Sequence, residues 1–203
     1  MSREEGKIAI LENIEIRNLR GLSLQVPKGK ITVLLGPNGS GKTTVVELLI
    51  GKLKPHRGKV IVRSADIGFV PDSNPLFYEL SVRDNLQLYL ALWGREFNSW
   101  VREVINAFNL LKYWLALPTS LSYGWRRRLT LATRLAAEHE LILLDEPTLG
   151  LDEEAQEALI YSISSLVSRG RTFIITTQDI KLVEGLKCSE LELIELDRID
   201  TKV

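Results

Sequence analysis

Gly36-Pro37-Asn38-Gly39-Ser40-Gly41-Lys42-Thr43-Thr44 is the stretch that decides the fold of this 203-residue chain. An apolar run, Ile31-Thr32-Val33-Leu34-Leu35, comes before it, and Val45-Val46-Glu47-Leu48-Leu49-Ile50 comes after it. A β-branched run, a glycine-rich turn and a helical pattern form the setting in which a main chain cradles phosphate. The glycines permit backbone angles with positive φ and a close approach to the ligand. Successive N–H groups then point inward, and the new helix adds the positive end of its dipole. Lys42 supplies a charge for the outer phosphates and Thr43 a hydroxyl for Mg²⁺, since every fixed position of G-x-x-x-x-G-K-[ST] is filled. The stretch predicts a nucleoside triphosphate site.

Upstream, residues 7–16 and 22–26 read as strands with Gly21 as the turn, and Pro27-Lys28-Gly29-Lys30 as a second turn. Downstream, the loop's helix is expected to run to about Leu53, where Lys54-Pro55-His56-Arg57-Gly58 stops it. Lys59–Arg63 and Asp66–Val70 read as short strands. From Pro71 to Trp125 the composition changes, because all four tryptophans (93, 100, 114, 125) fall there with most of the other aromatics. Ser81-Val82-Arg83-Asp84 is a capping box for a helix reaching Trp93. Val101, Val104, Ile105, Phe108 and Leu111 repeat at helical spacing on a second helix. Most of these aromatics are expected in the core of a helical insertion, with a minority left as a docking patch. A further helix is expected from Leu121 to about Glu138, then the strand 141–144. Asp152 reads as the N-cap of the next helix and Gly170 as its end. A strand at Thr172–Thr177, a helix at 180–186 and a half-buried edge strand at 189–196 complete the chain.

Lysine plus arginine and aspartate plus glutamate number 26 each, so there is no global charge case for nucleic acid. The longest apolar runs, such as Leu88–Trp93, fall far short of a membrane span. Met1-Ser2-Arg3-Glu4-Glu5 lacks the apolar core of a signal peptide, and the single Cys188 fits a reducing compartment. A cytoplasmic protein is expected. His56 and His139 lie far apart with no acidic or cysteine cluster around them, which argues against a zinc-type site.

The run 141–144 ends in Asp145-Glu146, which puts two carboxylates at the carboxyl end of a strand, where an open α/β sheet has its ligand crevice. Asp145 is placed to hold Mg²⁺, through water, and Glu146 to polarise an attacking water at the γ-phosphate. LILLDEPTLGLD at 141–152, GPNGSGKTT at 36–44 and LSYGWRRRL at 121–129 together resemble the nucleotide-binding domain of ATP-binding cassette (ABC) transporters over nearly the whole chain. The resemblance implies an α/β phosphate-loop NTPase with a mixed central sheet, an amino-terminal antiparallel β-subdomain and a helical subdomain. Residues 1–71 and 136–203 would form the F1-like core with its β-subdomain, and 72–135 the helical subdomain. It further implies ATP and Mg²⁺, and a head-to-tail homodimer or heterodimer in which Ser122 and Gly124 of one subunit contact the γ-phosphate held by the other. Asp152 matches the aspartate through which the two sites communicate. The implied partner is a polytopic membrane subunit on a separate chain, which puts this one at the inner face of the cell membrane.

Four positions depart from the family pattern. No aromatic residue occurs before Phe69, and Arg17-Asn18 stands near the place of the family's adenine-stacking aromatic. The Arg17 guanidinium can stack on adenine or stand as a solvated charge. Asp72 replaces the glutamine that reaches Mg²⁺ and the attacking water; one methylene shorter and charged, it either ligates Mg²⁺ from closer in or fails to reach. Tyr123 and Trp125 add bulk to the signature, and Arg126-Arg127-Arg128 reads as a solvated helix face. Gln178 replaces a histidine; it keeps a neutral donor and acceptor but cannot become cationic. The leading expectation is an ATP-hydrolysing transport motor with slowed hydrolysis. The alternatives are an ATP-regulated clamp or degenerate heterodimer partner, and a soluble non-transport family member.

Overall fold

The computed structural model of the chain describes residues 6–186 and 191–196. Cys188 and the first two residues of the strand expected at 189–196 lie outside the described residues. β1 (Lys7–Ile16) and β2 (Leu19–Pro27) pair antiparallel, from Ile16↔Leu19 back to Lys7↔Pro27. Arg17 and Asn18 make the turn between them, and Gly21 lies inside β2, contrary to the sequence expectation. Arg17 takes the left-handed conformation the tight turn needs (φ 51°). Gly21 instead fits a kink in β1, because a β-carbon there would meet Asn13 Oδ1 at 3.3 Å.

β3 (Ile31–Leu35) leads through the loop into α1 (Lys42–Leu49). The helix stops short of Leu53 because Gly51 turns left-handed (φ 74°) and the amides of Gly51, Lys52 and Leu53 fold back onto the carbonyls of Leu48 and Glu47. β4 (Arg57–Val62) then pairs with β1 and completes a three-stranded sheet in the order β2-β1-β4.

The remaining elements are β5 (Ile67–Val70), α2 (Val82–Leu92), α3 (Ser99–Ala107), α4 (Tyr123–Ala136), β6 (Leu141–Asp145), α5 (Glu153–Ser168), β7 (Thr172–Thr177), α6 (Ile180–Gly185) and β8 (Leu191–Glu195). Five strands form a second sheet in the order β5-β6-β7-β3-β8, with β8 at an edge as expected. Every described pairing in it is parallel, where the sequence reading expected a mixed sheet. Each of its successive strands is reached through a helical crossover, so antiparallel pairing is confined to the three-stranded sheet.

Strand periodicity divides the core in two. Ile31 and Val33, Ile142 and Leu144, and Phe173 and Ile175 pack with α2–α5 on one face. Leu34, Leu141, Leu143 and Ile174 pack with α1 and the three-stranded sheet on the other. Both faces of the parallel sheet are covered, which explains why its strands read as unbroken apolar runs.

Ser81 caps α2 by accepting from the Asp84 amide. α3 ends at Ala107 and does not extend to Leu111: Asn109 turns left-handed (φ 54°), and Leu111 is 58% exposed. Trp100 and Phe108 are buried, whereas Phe77, Tyr78, Phe97 and Tyr123 stay exposed. Arg127 and Arg128 do not form a solvated face. They are 0% and 2% exposed, because backbone carbonyls and acidic side chains receive their guanidinium groups inside the protein.

Candidate functional site

α2, α3, α4 and α5 each begin at a residue whose side chain caps them, namely Ser81, Asn98, Ser122 and Asp152. α1 begins at Gly41 (φ 99°) with no side-chain cap. Its amino end is thus left for an anion, at the mouth of a cleft of about 450 Å³ between the ends of β3 and β6. Asn38, Gly39, Gly41, Lys42, Thr43 and Thr44 line one wall. Gly36 has no room for a β-carbon, which would sit 2.3 Å from the Leu196 carbonyl oxygen and 2.9 Å from Ser40 Oγ. Pro37 accepts the Ser40 amide at 3.3 Å and closes the loop.

Opposite the loop stand the carboxylates of the β6 end. Asp145 is 3% exposed and accepts a hydrogen bond from Thr43 Oγ1 at 3.0 Å. Thr176 Oγ1 donates to its other oxygen. Lys42 Nζ, 5% exposed, donates to the carbonyls of Gly36 (2.7 Å) and Pro37 (3.1 Å) and lies 3.1 Å from Glu146 Oε1. Glu146 adopts φ 43°, a left-handed conformation that costs a residue with a β-carbon on the order of 1–3 kcal/mol. It is held there by its amide on the Thr176 carbonyl (3.0 Å) and by the Gln178 amide, which donates to Oε2 at 3.3 Å. Strain of this kind is kept where the surroundings over-determine it, and here it aims the carboxylate at Lys42.

Asp72, Gln178 and Leu149 complete the cleft. Arg17 is absent from it, because its guanidinium pairs with Glu47 at 2.9 Å on the flank of α1. Its neighbour Asn18 takes the place expected for Arg17: it lines the cleft and donates from Nδ2 to the Gly39 carbonyl. Asn18 and Leu149 were missed as site residues; only the adjacency of Asn18 to Arg17 pointed toward it.

Ser122, Gly124 and Asp152 do not line the cleft. They gather at the starts of α4 and α5. The Ser122 hydroxyl caps α4 by accepting from the Trp125 amide at 3.4 Å. Gly124 lets that helix approach Gly150, whose carbonyl oxygen a β-carbon at 124 would meet at 2.9 Å. The Tyr123 ring lies against Gly150, and Trp125 is packed between Tyr113 (ring centroids 4.6 Å) and the Arg128 guanidinium (4.5 Å). Asp152 accepts from Ala155 N as the cap of α5 and from Arg128 at 2.5 Å. The Arg128 hydrogen bond holds the Asp152 carboxyl below its usual range. Burial works against the Arg128 charge, yet its bonds to Asp152 and Glu154 raise its pKa above the ordinary arginine value.

The donor set fits Mg²⁺ and a triphosphate. Thr43 and Asp145 bring together a hydroxyl and a carboxylate, both hard oxygen donors, beside a buried ammonium and an uncapped helix start. Ser40 Oγ is a buried hydroxyl without a hydrogen-bond partner among the described residues, on the same loop that Gly36 opens.

Comparison with known proteins agrees with this geometry. The ABC transporter family model matches residues 19–149. The Nod factor export ATP-binding protein I of Rhizobium meliloti (strain 1021) is 34% identical over 191 residues, covering 87% of this chain and 57% of that protein. Its counterpart in Rhizobium sp. (strain N33) is 35% identical over 198 residues, covering 89% and 64%. The chain therefore spans about three fifths of the length of these relatives. A dimeric bacterial ABC transporter cassette superposes with a TM-score of 0.80 at 25% identity, covering 94% of each chain. With that model matching well over half of its residues, and relatives about a third identical over most of its length, the chain belongs to the ABC transporter family.

Proposed function

We propose that the chain binds and hydrolyses ATP, and so powers a membrane transporter whose spanning segments belong to a separate polytopic chain. One observation carries the reading: Lys42 and Thr43 of the loop meet Glu146 at 3.1 Å and Asp145 at 3.0 Å, about a hundred residues away in sequence. ATP lies along Gly36–Thr44 with its outer phosphates on Lys42 and the start of α1. Thr43 and Asp145 would hold Mg²⁺, with Asp72 within the same cleft, and the ion would neutralise charge on the phosphate oxygens. Glu146 accepts the proton of the water that attacks the γ-phosphorus as the bond to ADP breaks. Gln178 offers that water a neutral amide.

The placement of Ser122, Gly124 and Asp152 outside the cleft supports a composite site, in which a second subunit closes head to tail over the loop. Residues 72–135 act as the helical subdomain that passes this motion to the membrane partner. Residues 1–71 and 136–203 form the catalytic core with its β-subdomain. The relatives' description as export ATP-binding proteins supports transport, and with it a position at the cytoplasmic face of the membrane. The exposed aromatics Phe77 and Tyr78, a few residues after Asp72 in the sequence, supply a surface for the partner. A second reading, an ATP-regulated clamp with little turnover, rests on Gln178 and on the Tyr123 ring at the closing face.

Steady-state ATP hydrolysis by the purified protein separates the two. The motor predicts turnover that Glu146→Gln lowers by about a hundredfold or more while ATP binding persists. Tight ATP binding with no turnover in the unaltered chain would contradict it in favour of the clamp.

A further inference from the structure

We propose that Arg127 is a positioning residue for hydrolysis, holding the Glu146 peptide and the 71–73 loop as one rigid unit with the helix that starts at Ser122. The inference rests on the ATPase reading above and assigns one of its rate-setting contacts. The Arg127 residue is 0% exposed, and its side chain reaches out of α4 to the carboxyl ends of two neighbouring strands of the parallel sheet. One nitrogen donates to the carbonyls of Pro71 and, at 3.3 Å, Ser73, just beyond β5. The other donates to the carbonyls of Asp145 at 3.1 Å and Glu146 at 3.0 Å, at the end of β6. One turn earlier on the same helix face, Tyr123 Oη donates to the Asp72 carbonyl at 3.3 Å. Three consecutive carbonyls, 71 to 73, are thus held from one face of α4, with Asp72 at their centre.

This cation is buried against carbonyl dipoles and makes no direct ion pair among the described residues. Burial lowers its pKa, and the Asp72 and Asp145 charges oppose that only from a distance. An apolar side chain in its place would leave four backbone carbonyls without this donor. The planar fork spans four acceptors on two loops, which the single ammonium of lysine cannot match. The left-handed Glu146 peptide is gripped at both ends, its amide on Thr176 and its carbonyl on Arg127. Arg127 therefore fixes where the Glu146 carboxylate points, and links that direction to the helix carrying Ser122. It bonds to no residue of Gly36–Thr44, so nucleotide affinity is left to the loop.

The test is Arg127→Lys in the full chain, with Arg127→Ala as the second variant. Arg127→Lys is expected to lower kcat by about tenfold to a hundredfold, because displacements near 1 Å at a catalytic group have effects of that size. The KM for ATP and the equilibrium binding of a fluorescent ATP analogue are expected to stay within about threefold. Millimolar guanidinium, but not ammonium, is expected to restore part of the Arg127→Ala rate. Independently of turnover, amide hydrogen exchange at Glu146 and at residues 72–74 should rise in Arg127→Lys, with residues 40–45 unchanged. Unchanged kcat, unchanged exchange, a parallel loss of kcat and ATP affinity, or failure of both variants to fold would each overturn the proposal. An unaltered chain without ATPase activity would contradict the proposed function, while the exchange measurement still decides the role of Arg127.

Discussion

At the scale of single residues, the cleft sets the Lys42 ammonium beside Glu146, and brings the neutral amide of Gln178 to where the proposed mechanism places the attacking water. Lys42 meets Glu146 and Thr43 meets Asp145 across the cleft, and Glu146 tolerates a left-handed backbone to stay there. Gln178 is tied to Glu146 only through its backbone amide, and its side chain brings no positive charge to the γ-phosphate. Gln178→His should therefore raise turnover, by on the order of tenfold or more if charge stabilisation limits the rate; an unchanged kcat would show that Gln178 is not limiting. The loop, the acid pair and the Asp152 cap could be read from the sequence, because each is a local pattern of side chains with its own chemistry. Arg127 and Arg128 could not. Their partners include carbonyls of Pro71 and Glu146, and a backbone carbonyl has no side-chain signature at any distance along the chain. The guanidinium of Arg17 was drawn away for a similar reason, since Glu47 lies thirty residues on in α1.

Among the elements, the joint between β5, α4 and β6 sets how rigidly the helices sit on the sheet. Gly68 in β5 has no β-carbon because one would lie 2.4 Å from the His139 ring. That ring packs edge-on to Trp93 (4.8 Å), and its Nδ1 lies 2.7 Å from Asp66 Oδ1. Burial pushes the His139 pKa down, with the Asp66 carboxylate only partly restoring it. The unfolded chain thus binds this proton at higher pH than the folded one, so stability falls as pH drops below the ordinary histidine value near 6.5. Thermal unfolding between pH 8 and 5.5 should show this loss, and His139→Gln should flatten it; an equal slope in both proteins would exclude His139 as its source. Strand and helix order was legible because apolar periods changed from two to 3.6 at turn residues. Element ends were less so: the α1 end at Leu49 and the α3 end at Ala107 depend on Gly51 and Asn109 turning left-handed, which neighbouring apolar residues do not announce.

For the molecule as a whole, the candidate residues divide into two groups. The cleft gathers Asn18, the loop, Asp72, Asp145, Glu146 and Gln178, while Ser122, Gly124 and Asp152 lie outside it, at the starts of α4 and α5 that Arg128 ties together. The proposed function joins the two groups through a second subunit turned head to tail. The sequence carried this division through its resemblance to a family, since no periodicity or spacing in one chain encodes a contact with another. The most direct measurement is the molar mass of the Glu146→Gln protein in solution, by light scattering, with and without ATP and Mg²⁺. The composite site predicts a doubling of mass on adding ATP and Mg²⁺, abolished by Ser122→Arg at the closing face. A protein that binds ATP yet keeps the same mass, with or without Ser122, would contradict it.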